Sequence, residues 1–341
     1  MVSFFKWCIK AGIAGAASVA LLSLFTLVYS NSGVHIANPS QATDYFWEPR
    51  QYKANMTEGF SWLRMDANGF NNEKDLVDLG GVDILIMGSS HMEAVNVGRA
   101  ENAGALLNTM LPEYKTYNIG ISGHTFYHCV NNLEDALSCY QPTKYVVIET
   151  DRIALDPAVM ESVINGGFAH IASYDSGWMY TVQKAVPAVL PVYRQLENWR
   201  AASARQSADT IAAASAGEGD SVASGEEYRE ALDRFMGETK RLCGDREVLV
   251  LYHPQTRIDA AGNFIAEDQA AADEFQNACE NNGLHFIDME ADFKALYEDS
   301  HILAHGFTNT AVGEGHLNRY GHKVIADKIM NTIQEIENGA E

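Results

Sequence analysis

Basic residues are scarce in this chain. Lysine and arginine number 24 against 45 aspartates and glutamates, for a formal net charge of -21 and a pI near 4.8. Nucleic acid and anionic headgroups are bound through Lys/Arg clusters that displace counterions, so a nucleic-acid partner is excluded. The acidic residues form no long block, and they read as a solvated surface and not as an acidic tail. Cysteine is sparse as well, at five residues, with no CxxC or Cys/His spacing to build a structural zinc site. A metallohydrolase centred on His91, Glu93, His305 and His316 is disfavoured, because no pair among them has the i, i+4 spacing of helical metal ligands. No metal and no cofactor is expected, and no internal repeat is present.

What the sequence does have begins at its first residues. Lys6 and Lys10 precede an uncharged run from Ala11 to Tyr29, which as a helix rising about 1.5 Å per residue nearly crosses a hydrocarbon core of roughly 30 Å. With no basic cluster on the far side, the amino terminus is expected in the cytoplasm and the body outside, as a single-pass signal anchor. Val28 and Ser30 also frame a cleavage site, so a removable signal peptide is the rival reading. Both readings export the body. Cys8 then sits at the cytoplasmic edge, leaving Cys129, Cys139, Cys243 and Cys279 in an oxidising compartment. Bridges 129 to 139 and 243 to 279 are one reading, and four free thiols the other.

Three regions follow: the anchor at 1–30, an aromatic-rich juxtamembrane arm at 31–75, and a catalytic domain at 76–341. Exposing Tyr45, Phe46, Trp47, Tyr52, Phe60 and Trp62 together is costly, so the arm is expected to pack on the domain. Short apolar runs at 83–87, 116–119, 145–149, 248–252 and 284–287 read as buried parallel strands. Amphipathic stretches near 130–137, 226–241, 270–280 and 320–335 read as helices. Alternation of the two predicts a parallel sheet covered on both faces, with the active site at the carboxyl ends of the strands. Residues 155–225 are too long for an ordinary connection. Their first part, with Trp178, Tyr180, Pro187, Pro191, Tyr193 and Trp199, reads as a helical lid or substrate-binding insertion, and Ala201 to Ser224 as a flexible segment.

Chemistry gathers at three places. Gly88-Ser89-Ser90-His91 follows the first of these strands, where a serine presents its hydroxyl and its own N–H points at a developing oxyanion. Asn118-Ile119-Gly120-Ile121-Ser122-Gly123 follows the second, and its glycines let backbone N–H approach a substrate. Near the carboxyl terminus, Gly313-Glu314-Gly315-His316-Leu317-Asn318 leads into an amphipathic helix. His316 there is suited to act as base for a serine, with Glu314 to orient it. His322, inside the helical periodicity, reads as a structural histidine.

In order and separation these blocks resemble the SGNH/GDSL hydrolase superfamily, over roughly residues 80–335. The resemblance implies a flavodoxin-like three-layer α/β/α sandwich, with Ser90 as nucleophile, Gly123 as oxyanion donor and His316 as general base. Ser89, His91, Asn118 and Thr150 are the further candidates around the oxyanion and substrate. Ser89 stands where many relatives have aspartate. The family's third-block asparagine is absent from Glu149-Thr150-Asp151, leaving Thr150 as a weak donor; loss of one such donor costs about 3 kcal/mol of transition-state stabilisation. The acid usually found three residues before the histidine is replaced by Gly313, so Glu314 is expected to serve. The activity implied is that of a serine esterase or O-acyltransferase acting on acyl, chiefly acetyl, esters of a cell-envelope carbohydrate. The alternative is a catalytically silent carbohydrate-binding or scaffold protein that kept the fold.

Overall fold

The computed structural model describes residues 2–29, 35–169, 181–182, 185–186, 225–266 and 271–339. In chain order the first elements are helix α1 (Val2–Tyr29), strands β1 (His35–Ala37), β2 (Tyr45–Trp47), β3 (Tyr52–Asn55) and β4 (Ser61–Arg64), then α2 (Leu76–Leu79). Next come β5 (Ile84–Met87), α3 (Ser90–Glu93), α4 (Ala103–Met110), β6 (Thr116–Asn118), α5 (Phe126–Asn131), α6 (Leu133–Tyr140), β7 (Tyr145–Thr150) and α7 (Pro157–Ile164). The remainder is α8 (Glu226–Cys243), β8 (Glu247–Tyr252), β9 (Thr256–Ile258), β10 (Phe264–Ala266), α9 (Ala272–Asn281), β11 (His285–Asp288), α10 (Glu290–Ser300) and α11 (Arg319–Gly339).

The chain divides into two compact units, Met1–Val34 with Asp175–Ser221, and His35–Tyr174 with Val222–Glu341. In the first, α1 is long and apolar enough to cross a membrane, with a mean hydropathy of 2.0 in an 18-residue window within Ser3–Val28. The second holds the sheet. Most of the insertion, including Trp178, Tyr180, Pro187, Pro191, Tyr193, Trp199 and the Ala201–Ser224 stretch, lies outside the described residues.

Five strands pair in parallel in the order β11-β8-β7-β5-β6. The reason is legible in β5 and β7, whose residues are all buried and almost all apolar, as strands covered on both faces must be. Their alternation sorts the core. Leu85, Met87, Val146, Ile148, Val248 and Val250 face one hydrophobic cluster. Ile84, Ile86, Tyr145, Val147, Leu249 and Leu251 face the other. The first cluster is covered by α5, α6, α8 and α9, and the second by α4, α10 and α11, so the architecture is a three-layer α/β/α sandwich. Numbered within the sheet the strand order is 2-1-3-4-5, the flavodoxin-like order. The chain leaves β5 first to one side and then to the other, which opens a crevice at the carboxyl end of β5.

The five expected strands are present within one or two residues of their predicted ends. The helix expected near 130–137 is two, broken at Asn132, whose amide turns away to Asp44 Oδ1 at 3.1 Å. Helices α4, α7 and α10 lacked a sequence signal strong enough to single out. In α8 the buried stripe Tyr228, Ala231, Leu232, Phe235, Met236, Thr239 and Cys243 follows the helical period, with Glu226 and Glu227 in the first turn and Lys240 and Arg241 in the last. The bridges 129 to 139 and 243 to 279 do not form: all five cysteines are free thiols. Cys129, Cys243 and Cys279 are buried among apolar side chains, and that burial pushes their thiols well up, out of reactive range.

The arm from residue 35 onward folds into the sheet-bearing unit as two antiparallel hairpins, β1-β2 and β3-β4. Tyr45, Trp47, Leu63 and Met65 pack with Val95 and Ile121 into a third cluster, and the Trp47 Nε1–H donates to the buried Glu93 at 2.6 Å. Tyr52, Phe60 and Trp62 instead stay exposed.

Because β7 pairs on both edges and Ile148 is 0% exposed, Ile148→Ala is expected to cost about 2–5 kcal/mol in chemical denaturation. A loss below about 1 kcal/mol would contradict this placement.

Candidate active site

Ser90 opens α3 in the turn that leaves β5, at the crevice end of the sheet. The turn is held by one carboxylate. Glu149, fully buried near the end of β7, accepts the Ser89 N–H at 2.6 Å on Oε2 and the Ser89 hydroxyl at 3.1 Å on Oε1. The same Oε1 lies 2.7 Å from His253 Nε2, just past β8. Gly88 must be glycine, since a Cβ there would run into Glu149 and stand 2.8 Å from Met92 Cγ. Ser89 caps α3 by accepting the His91 N–H at 3.2 Å.

The structure brings Ser90 and His316 together across 226 residues, with His316 Nε2 at 2.8 Å from Ser90 Oγ. The carboxylate on the other ring nitrogen is not Glu314. It is Glu58, whose Oε1 lies 2.8 Å from His316 Nδ1 and accepts the His316 backbone N–H at 2.6 Å. Glu314 is exposed and its N–H turns back to Ala311 at 3.1 Å. The two glycines flanking it explain the exchange. A Cβ on Gly313, which has φ +75°, would stand 2.6 Å from the Thr256 carbonyl, so no aspartate fits at that position. Gly315, at φ +101°, leaves open the space through which Glu58 reaches the histidine.

Glu58 stands at the tip of the β3-β4 hairpin, and asparagines hold that tip. Asn55 and Asn96 amides donate to the Glu58 carbonyl at 2.9 and 3.3 Å. Asn309 accepts the Gly59 N–H at 2.9 Å and donates to the Met56 carbonyl at 3.0 Å. The sequence marked Glu58 only by its place in the Asn55 to Gly59 turn, because its role beside His316 comes from the packing of the arm.

An ionised carboxylate only accepts, so His316 carries its proton on Nδ1 and offers the Nε2 lone pair to Ser90. Burial opposes the imidazolium, but the hydrogen bond and charge of Glu58 outweigh it and hold the His316 pKa above its ordinary 6.5. Burial likewise favours protonated Glu58, and its bonds from His316 outweigh that, so its pKa is lowered.

The other expected residues divide. Gly123 is exposed at φ +83°, next to Ser122, which accepts the Tyr45 hydroxyl on its carbonyl and donates its own hydroxyl to Glu93. Asn118 is buried with its amide committed to structure, donating to the Met92 carbonyl at 2.6 Å and accepting the Gly120 N–H at 2.9 Å. Thr150 does not replace the absent asparagine: its hydroxyl donates to the Arg152 carbonyl at 2.6 Å and closes the end of β7. Ser89, as above, is spent on Glu149. His91 lies behind the site, its Nδ1 accepting the Leu317 N–H at 3.2 Å and its ring 5.1 Å from that of His316. His322 is buried, and neither ring nitrogen has a partner among the described residues.

Of the residues named above as possible metal ligands, Glu93 is taken by Trp47 and Ser122, and His316 by Ser90 and Glu58. A different set does gather. His91, His253 and His305 are all buried and present ring nitrogens within 4.8 Å of one another.

No family model and no curated protein matches the sequence. Among solved structures the chain is similar to a two-domain esterase active on acetylated mannans, at 12% identity and a TM-score of 0.41, covering 76% of this chain and 50% of that one. It therefore spans about half the length of that esterase. An acetyl xylan esterase is similar at 17% identity and a TM-score of 0.40, covering 73% of this chain and 99% of that one. A psychrotrophic esterase from Pseudoalteromonas sp., inhibited by monoethylphosphonate, is similar at 15% identity and a TM-score of 0.37, covering 75% and 98%.

In an NMR titration the His316 ring is expected to protonate above pH 6.5. Glu58→Gln should shift that midpoint down, and Glu314→Gln should leave it in place. The reverse pattern would restore Glu314 as the orienting acid.

Proposed function

We propose that this chain is a serine-dependent carboxylic ester hydrolase or O-acyltransferase. The observation that carries the reading is the unbroken line of hydrogen bonds from Ser90 Oγ through His316 to Glu58 Oε1, each 2.8 Å long. A serine hydroxyl hardly ionises at neutral pH and needs a neighbouring base. As Ser90 Oγ attacks the ester carbonyl, His316 Nε2 takes its proton, and Glu58 stabilises the imidazolium that forms. The same proton then passes to the departing alkoxide, leaving an acyl group on Ser90. Water releases the acid, or an acceptor hydroxyl takes the acyl group; His316 activates either one. With Asn118 and Thr150 committed elsewhere, the oxyanion falls to the N–H groups of Ser90 and Gly123.

The substrate class proposed is an acetylated carbohydrate of the cell envelope. Two features support it: the apolar α1, which suits a single-pass anchor with the body outside the cytoplasm; and the likeness to esterases of acetylated mannan and xylan.

With a chromogenic acetyl ester, Ser90→Ala is expected to lower kcat/KM by about 10³-fold or more. The base must be neutral to act, so activity should fall as pH drops through the His316 pKa, on an acid limb above 6.5. Glu58→Gln should lower the rate and move that limb to lower pH. Turnover unaffected by Ser90→Ala would overturn the mechanism, and no turnover of any acetyl ester would favour the silent binding module.

A further inference from the structure

Behind the proposed nucleophile lies a group of imidazoles that the ester chemistry does not use. His91 follows Ser90, His253 follows β8, and His305 bridges to Leu317 in the loop that carries His316. All three are buried, and the ring centroids are 4.6 Å apart for His91 and His253, 5.6 Å for His91 and His305, and 5.5 Å for His253 and His305.

Their hydrogen bonds leave lone pairs over. Glu149 accepts at His253 Nε2, which fixes that proton and leaves Nδ1 as a bare lone pair, buried and without a partner among the described residues. His305 Nδ1 is 3.1 Å from the Thr256 hydroxyl, and its Nε2 is likewise buried and unpartnered. His91 Nδ1 accepts from Leu317, which leaves the proton of its neutral form on Nε2, while His253 Nδ1 and His305 Nε2 stay buried without a partner among the described residues. A buried polar atom without a partner is costly, and two in one small cluster call for a common ligand.

We propose that His91, His253 and His305 form a binding site for one divalent cation of the zinc class, which braces the turn presenting Ser90. Imidazole nitrogen suits zinc, and hard cations such as magnesium prefer oxygen. The carboxylate on His253 and the hydroxyl on His305 are the outer partners that orient histidine ligands of a metal. Zn–N bonds of about 2.0–2.1 Å set tetrahedral nitrogens roughly 3.4 Å apart, so the rings close in by on the order of 1 Å from the separation seen here. His91 joins through Nε2 by moving its proton to Nδ1, and the 3.2 Å bond from Leu317 is given up in exchange. Through Glu149, which holds both His253 and Ser89, the ion and the serine turn become one unit. The fully buried position fits an ion taken up as the chain folds. The inference stands apart from the ester chemistry, because its test reads metal and stability, not turnover.

The full chain, without a polyhistidine tag, is purified in detergent from zinc-supplemented medium and its metal content measured by mass spectrometry. About one zinc per chain is expected in wild type and in the control His285→Asn, falling below about 0.2 in His253→Asn or His305→Asn. Because those variants can fail to fold, wild type stripped by chelator is tested as well: added zinc should raise Tm by about 4 °C or more, and magnesium should not. Wild type with less than about 0.2 zinc and a Tm indifferent to zinc and chelator overturns the proposal. Zinc retained by folded His253→Asn and His305→Asn overturns it equally.

Discussion

The site depends on one carboxylate reaching one imidazole across 258 residues of chain. Glu58 Oε1 takes both the ring Nδ1 and the backbone N–H of His316. A single oxygen therefore sets the tautomer, the ring orientation and the position of the loop. Everything on the Glu58 side is built to deliver that oxygen. The β3-β4 hairpin carries it, three asparagines hold the tip, and Gly315 leaves the approach open. The arm is thus a part of the site, and truncating it would remove the acid along with the aromatic cluster.

On the other side the sheet does the positioning. Strand order puts a crevice at the end of β5, and Ser90 stands in the turn there. Glu149 crosses from the neighbouring β7 and secures that turn by two bonds to Ser89, so the serine is presented by a strand pair and not by a loose loop. The two halves meet at the 2.8 Å contact between Ser90 and His316, and the Leu317 N–H donates to His91 Nδ1 beside it.

How much of this was legible in the sequence follows from how local each signal is. A buried parallel strand is a short apolar run, so β5 to β8 and β11 could be read directly, and with them the α/β architecture. Ser90 and His316 were legible for a related reason: each sits in a Gly-bearing segment next to a strongly patterned element. Glu58 was not, because its role depends on how a hairpin of four-residue strands folds against a distant loop. Glu314 is adjacent in sequence to the histidine loop but faces solvent, and adjacency misled. Thr150 misled in another way, since a hydroxyl at a strand end can donate to its own backbone as readily as to a substrate. Of the histidine cluster, His91 and His305 stood among the candidate ligands in the sequence and His253 did not, since the three come from separate strand and loop ends with no ligand spacing to join them.

The most direct test of the account is covalent labelling by a serine-directed organophosphonate, read by peptide mass spectrometry in wild type, His316→Ala and Glu58→Ala. The account predicts a single adduct on Ser90 in wild type, none in His316→Ala, and strongly slowed labelling in Glu58→Ala. Labelling of Ser90 at the same rate in all three proteins, or an adduct on a different serine, would contradict it.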